Sequence, residues 1–387
     1  MLLVIFLLLF IPKEILSLEQ CSDTNEDLKE FCLKVDKYNK YKPPQFPNLT
    51  TLHIEVILRD ILMIDEEAHF MELVAYSNLK WMEPRIDIKW IGNQIARFTN
   101  EEMNPLWTPS THYTNAHTVS LRLKMWTATM NQTQKLVWFK QIIIYKLKFA
   151  CAMDFSSYPF DSHFCTWKIR NLIENNQSVQ LIVDFVQEET KNVSGTAQVP
   201  LKIMSPNVQF DIEVFALPSE TEYSDGELKS IALIQFKLTR NEQVLQQLFT
   251  GYFAPMGFFA LLSLISYLIK PEIVPGRMGM LTVLFLIITS IHANVDGPSA
   301  RGFSYIEVWY VGMFMPIVVA ILEYAIILAI IKFKEAKDWQ IKVGPNFKIK
   351  MHQCLAYADI LFLFCNLVFY IVFVTWYYSK VISALAK

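Results

Sequence analysis

Charge is scarce in this sequence. Asp, Glu, Lys and Arg make up only 19% of its 387 residues and nearly cancel, leaving a formal net charge of −2. Such a balance gives no long-range pull on a polyanion, so no nucleic-acid partner is expected. Glycine is sparse as well, at 11 residues, and no glycine-rich loop of the phosphate-cradling kind occurs. There is no His/Cys/Asp/Glu spacing of the metal-ligand kind and no nucleophile motif. Enzymatic activity, a bound metal and a cofactor are therefore not expected. What is abundant is apolar: 53% of the chain is hydrophobic and 28 residues are Phe, more than a wholly soluble chain usually carries.

The distribution of that apolar content divides the chain near residue 245. Before it, short alternating runs dominate: Leu52 to Val56, Arg85 to Trp90 and Val119 to Lys124. Alternation of this kind predicts half-buried strands. Turn signals at Pro43-Pro44, Asn104-Pro105 and Asp225-Gly226 separate the runs, so residues 18–244 are expected to form an all-β sandwich. The almost purely apolar stretch Met1 to Ile11 is too short to span a bilayer and reads as a secretory signal over residues 1–17, or else as a short anchor. Glycosylation sequons at Asn48, Asn131, Asn176 and Asn192 all fall in the front half, which marks it as extracellular.

After residue 245 four long apolar stretches follow, about residues 248–269, 278–295, 308–331 and 355–378. Each is close to the ~20 residues that a helix needs to cross a bilayer. Trp309, Tyr310, Trp376, Tyr377 and Tyr378 cluster at their ends, as in an interfacial belt. Lysines 332, 334, 337, 342, 348 and 350 make the short link 332–352 cytoplasmic. The expected membrane domain is thus 245–380, with the link 296–304 outside.

Six cysteines fall into three pairs along the chain: Cys21 and Cys32, Cys151 and Cys165, Cys354 and Cys365. A secreted front half permits disulfides there. The last pair lies in one helix-like run, where eleven residues rise about 16 Å, too far for one bridge. These two are expected to be buried thiols, with palmitoylation of Cys354 as the alternative.

Between Cys151 and Cys165 lie thirteen residues that include Tyr158, Pro159 and Asp161. Spacing and residue types resemble the signature loop of Cys-loop receptors, the pentameric ligand-gated ion channels. The likeness continues in Trp81 to Ile86, in Trp107-Thr108-Pro109 with Asn115, in Phe236 to Arg240 and in Leu322 to Ala325. The resemblance implies a Cys151–Cys165 disulfide and an extracellular sandwich followed by a four-helix transmembrane bundle. It further implies assembly with other receptor subunits into a pentamer, a small extracellular agonist, and a multi-pass plasma-membrane location at a synapse, in contact with lipid. Tyr158, Pro159, Asp161 and Arg240 would couple binding to the pore, the loop pressing on the 296–304 link.

By the same resemblance the second span lines the pore. At helical spacing one face carries Gly279, Val283, Leu286, Ser290 and Ala293. Five copies of Leu286 would form an apolar ring that bars ions by excluding water. Pro275-Gly276-Arg277 is similar to the mouth of anion-selective members, so Arg277 is expected to form a basic ring, while Asp296 would add negative charge at the outer mouth. Trp90, Tyr113 and Tyr223 are the candidate agonist contacts, with a capping loop at Ser219–Glu227. Leu172 replaces the Trp of acetylcholine-binding members, and no adjacent Cys-Cys pair is present. Alternative readings are a non-gating assembly subunit, a cation-selective channel, or a channel gated by protons or zinc.

Overall fold

The computed structural model describes residues 31–33, 38–88, 95–131, 136–188, 194–195, 201–203, 209–270, 273–295, 297–298, 303–338 and 345–385. They fall into two compact units. One holds the described residues of Met1–Ala152 and Phe164–Leu238, the other those of Met153–His163 and Thr239–Lys387. The loop 153–163, expected within the sandwich, thus belongs by its contacts to the helical unit.

In chain order the strands are β1 (Phe31–Leu33), β2 (Thr50–Asp65), β3 (Phe70–Met82), β4 (Ile86–Ile88), β5 (Ala96–Phe98), β6 (Thr111–Tyr113), β7 (Ala116–Asn131), β8 (Leu136–Ala150), β9 (Ser162–Asn171), β10 (Val179–Glu188), β11 (Ser194–Gly195), β12 (Leu201–Ile203), β13 (Phe210–Ser224) and β14 (Glu227–Arg240). A seven-stranded sheet runs β11-β10-β2-β3-β8-β7-β5 and a five-stranded sheet runs β12-β13-β14-β9-β6. Their inner faces follow from period-two alternation. Along β8, Val137, Phe139, Gln141, Ile143, Tyr145, Leu147 and Phe149 are all buried. Along β9, Cys165, Trp167 and Ile169 do the same from the other sheet. Trp81 stands at the centre, stacked on Phe139 at 5.7 Å and edge-on to Trp107 and Trp126. The Cys151–Cys165 disulfide is formed, with Cα atoms 4.8 Å apart. It joins the residue after β8 to β9 and so staples one sheet to the other.

Two of the motif segments have plain structural work. Glu83 takes Arg85 in a two-pronged pair, each contact 2.7 Å, and the same guanidinium donates to the Asn39 and Lys42 carbonyls. This pins the chain at 38–42 to the end of β3. Asn115 donates to the Thr166 carbonyl and accepts from the Lys168 amide, locking the β6–β7 turn onto β9.

One strand departs from expectation. Val119, Leu121 and Leu123 of β7 alternate as predicted, yet they are 39%, 62% and 42% exposed. Beyond the β5 contact at Trp126–Ala128, β7 is paired on its β8 side only, and this row of apolar side chains is left uncovered. Trp90 lies outside the described residues, as do Asn192, Cys21 and Asp296. Asn48 is exposed and Asn176 half-buried, while Asn131 ends β7.

The helical unit contains α2 (Glu242–Leu248), a π turn at Phe249–Phe253, α3 (Ala254–Ile265), α4 (Val274–Ala293), α5 (Tyr305–Asp338) and α6 (Pro345–Leu385), besides the short α1 (Asn100–Met103) of the sandwich. Among the described residues, four helical segments are long and apolar enough to cross a membrane: Glu242–Leu268, Val274–Ala293, Tyr305–Phe333 and Tyr357–Ser383. Asn241 caps the first, accepting the Gln243 amide. Pro275 opens α4 at a position where its missing N–H costs nothing. The last span is the least buried of the four. Cys365 is accordingly exposed, not buried as expected, because its face of α6 meets no other helix.

Where α5 and α6 do meet, the approach is tight. A Cβ on Gly312 would overlap the Phe373 ring. We expect Gly312→Leu to destabilise the purified protein by roughly 1–3 kcal/mol, as overpacking does. Adding Phe373→Leu should recover part of the loss in thermal unfolding, whereas additive losses would contradict this contact.

Candidate functional site

The loop after the disulfide is organised by one buried carboxylate. Asp161 accepts from Arg240 Nε at 3.1 Å and from a terminal guanidinium nitrogen at 3.3 Å. His163 Nε2 lies 2.5 Å from Oδ2, the oxygen that this terminal nitrogen also reaches. The Asp161 and Arg240 side chains are 1% and 2% exposed. Arg240 also packs over the Tyr158 ring, 4.9 Å from its centre. Alternation places it there: Phe236, Leu238 and Arg240 share one buried face of β14. Burial alone would raise the Asp161 carboxyl, but the His163 hydrogen bond and the Arg240 charge outweigh it and hold it below its ordinary value.

The loop reaches four further segments. Tyr158, whose bond to Pro159 is cis, lies 3.3 Å from where a Gly297 Cβ would be. Its carbonyl accepts from the Ile306 amide at the start of α5. Phe160 stands 6.1 Å from Phe253 of the first span. Pro159 and Phe160 also line an apolar cavity of about 280 Å³ with Leu245, Phe249, Tyr377 and Tyr378. The expected contact with the 296–304 link is present at Gly297. The contacts with the first and last spans were not anticipated, since nothing in the spacing joins Phe160 to Tyr377.

On α4, Gly279, Val283, Leu286, Ser290 and Ala293 are all exposed, while Leu281, Leu284 and Ile288 are buried against the other helices. Leu286 is 58% and Val283 54% exposed, and nothing lies within 4 Å of a would-be Cβ on Gly279. Arg277 requires a correction. It does not stand on this open face but is fully buried, donating to Glu323 of α5 at 2.7 Å and to Asp359 of α6 at 2.9 Å. The rings of Tyr324 and Tyr267 flank it at 4.6 and 5.4 Å. An arginine within a helix bundle is stable only beside countercharge, and both acids lie on the far side of α4 from Leu286.

Two of the predicted agonist contacts, Tyr113 and Tyr223, lie within the described residues. Tyr113 packs into the sandwich against Tyr145 at 5.2 Å and Trp167 at 5.8 Å, and burial pushes its phenol up to about 12. Tyr223 is 71% exposed near the β13–β14 turn. No ring contact joins the two among the described residues. What stands around the capping loop instead is charge. Lys229, 5% exposed, donates to the Leu172 carbonyl and lies 3.4 Å from Asp225 at the hairpin tip. Asp225 and Gly226 have φ of 56° and 85°, the left-handed pair that an Asp-Gly hairpin turn uses. A Ser224 hydrogen bond, Lys229 and the charge of Arg170 hold the Asp225 carboxyl below its ordinary value. The signal for this cluster was available in the polar outer positions of β9, Lys168 and Arg170, but a search for aromatic residues passes over it.

Residues 29–242 match the family described as neurotransmitter-gated ion-channel ligand binding domain. The chain is 23% identical over 347 residues to the gamma-aminobutyric acid receptor subunit pi of Rattus norvegicus, covering 82% of this chain and 73% of that one. It is 24% identical over 305 residues to the beta-4 subunit of the same receptor type from Gallus gallus, covering 74% and 57%. It is also 24% identical over 302 residues to the pi subunit of Mus musculus, covering 75% and 63%. Against two of these three, the chain spans less than two thirds of the relative's length.

Removing one member of the Asp161–Arg240 pair would leave the other charge buried. We expect Asp161→Asn to cost about 3 kcal/mol. A carboxylate with a lowered pKa stabilises the folded form above its unfolded value, about 4, and that contribution is lost as pH falls through the lowered one. Thermal unfolding between about pH 5 and 2 should therefore be less pH-dependent in Asp161→Asn than in the parent; equal slopes would refute this role.

Proposed function

The chain belongs to the neurotransmitter-gated ion-channel family, and from that premise we propose that it is a subunit of a pentameric anion channel opened by a small extracellular molecule. The observation that carries the reading is the open face of α4. Five residues from Gly279 to Ala293 are exposed although α4 is packed on α3 and α5, which is what a helix facing an axial pore requires. Rings of Leu286 and Val283 would hold the closed pore dry.

With Arg277 buried, the anion preference rests on other features. No acidic residue occurs on α4 from Val274 to Ala293. Five α4 N-termini converging on the inner mouth would present the positive ends of their peptide dipoles. The relatives named as gamma-aminobutyric acid receptor subunits support γ-aminobutyrate as the first agonist to try.

Coupling would run through β14. A movement of the agonist face pulls on Arg240, hence on Asp161 and the loop, and Tyr158 passes it to Gly297 and the start of α5. Binding then shifts a closed–open equilibrium by its differential affinity for the two states. The uncovered β7 row of Val119, Leu121 and Leu123 suits burial by a neighbouring subunit. The front half lies outside the cell, the lysine-rich link inside, and the exposed side chains of α6 meet lipid.

The test is current recorded from cells expressing this chain, with transmitters, protons and zinc applied in turn and ions substituted to set the reversal potential. A reversal potential that follows the cation gradient would overturn the anion assignment. Leu286→Ser should wet the ring, producing current without agonist and a lower half-maximal concentration; unchanged gating in a conducting receptor would exclude the ring. Leu121→Asp should abolish pentamers on native gels while leaving the monomer folded, and intact pentamers would show that β7 is not at the interface.

A further inference from the structure

The first half of β7 is open on both faces. Every residue from His117 to Met125 is exposed, and four of them, Val119, Leu121, Leu123 and Met125, are apolar. The strand's free edge is open as well, because β5 pairs only with Trp126–Ala128. A bare apolar edge strand is a template for association, and native proteins cover it. The charges on β7 bear on what the cover is. Ala116–Asn131 holds Arg122 and Lys124 and no acidic residue. Lys124 lies 4.7 Å from the centre of the Trp126 ring. Among the described residues, no carboxylate is within ion-pair distance of either cation.

The β13–β14 hairpin carries the opposite pattern. From Pro218 to Leu228 it has the acids Glu220, Glu222, Asp225 and Glu227 and no Lys or Arg. Asp225 is answered within the hairpin by Lys229. The three glutamates are exposed, and no cation among the described residues is within ion-pair distance of them. Tyr223 and Leu228 of the hairpin are exposed too, as is Ile173, next to the Leu172 carbonyl that holds Lys229.

These two patches stand towards opposite edges of the sandwich. On one side β6, an edge of the five-stranded sheet, turns directly into β7. On the other side β10 packs on β13, and its Gln180 side chain and Leu181 amide bond to Ser219 and Ser230 at the root of the hairpin. The patches are also level. Leu172 on the β9 side and Leu123 on β7 each stand about 23 Å from the disulfide end of the sandwich, at ~3.3 Å per residue. Placing β7 against a second β7 would set Arg122 and Lys124 against their own copies. Placing hairpin against hairpin would set the glutamates together, so a two-fold pair is disfavoured. Hairpin on β7 brings opposite charges together, and a contact between two different patches repeats head to tail until the ring closes.

We propose that β7 is covered by the β13–β14 hairpin of a second copy of this chain, so that the chain builds its ring from copies of itself. This rests on the reading of β7 as a subunit interface and names its partner. Glu220, Glu222 and Glu227 of one copy answer Arg122 and Lys124 of the next. The apolar residues around them supply the area that is buried, and the charges select the pairing.

The full chain is expressed alone, purified in detergent and weighed by native mass spectrometry. A pentamer of identical chains is expected. Arg122→Glu with Lys124→Glu should remove most of the pentamer, and so should Glu220→Lys with Glu222→Lys. All four substitutions in one chain should restore it, which a loss of folding cannot do. A monomer that enters a ring only beside other receptor subunits overturns the proposal. So do rings indifferent to either reversal, or rings that the four substitutions together fail to restore. Rings that are lost with Leu121→Asp but survive both reversals would keep β7 at the interface and take the hairpin away from it. Rings of this chain alone that pass no current would sink the channel reading and leave the self-assembly standing.

Discussion

A guanidinium taken out of water must find a carboxylate, and Arg240 finds its own 79 residues back along the chain. That single pairing fixes much else. Asp161 sits on the loop that follows the disulfide, and Arg240 sits at the last position of β14, immediately before the first span. Holding them together puts Tyr158 against Gly297 and Phe160 against Phe253. The loop is thereby committed to the helices although both its ends are stapled into the sandwich. Since either charge alone would be strongly destabilising in that setting, strand end and loop cannot easily separate, and they move as one piece.

The same physics recurs at Arg277, with a different result. There the partners come from α5 and α6, so one arginine on α4 gathers three helices. The rest of α4 has no strong claim on its neighbours. Its hydrophobic residues lie on every side, and what distinguishes the Leu286 face from the Ile288 face is where the arginine points. Burying Arg277 turns Leu281, Leu284 and Ile288 inward and leaves Gly279, Val283 and Leu286 uncovered. The charge expected to line an ion path instead orients α4 among its neighbours.

Legibility followed the range of the interaction. The disulfide loop, the alternating core strands and the four apolar spans depend on neighbours close in sequence or on length alone, and they were readable. The β7 row misled because alternation reports that one face is apolar, not what covers it. Cys365 misled for a related reason: an apolar helix run gives no sign of which sector meets protein. Tyr113 was chosen for being aromatic near a motif, yet its parity in β6 sends it into the core against Tyr145 and Trp167, while His112 takes the outer position beside Arg170.

The sequence by itself determined the two-part architecture, the stapled loop and the number of crossings, because these follow from periodicity, from residue chemistry at fixed spacing and from the thickness of a bilayer. Only the tertiary structure decided which charges are buried together: Arg240 with Asp161, and Arg277 with Glu323 and Asp359. Periodicity carries no information about pairing between segments 46 to 82 residues apart. The large cost of an unpaired buried charge makes such pairings decisive once the chain has folded.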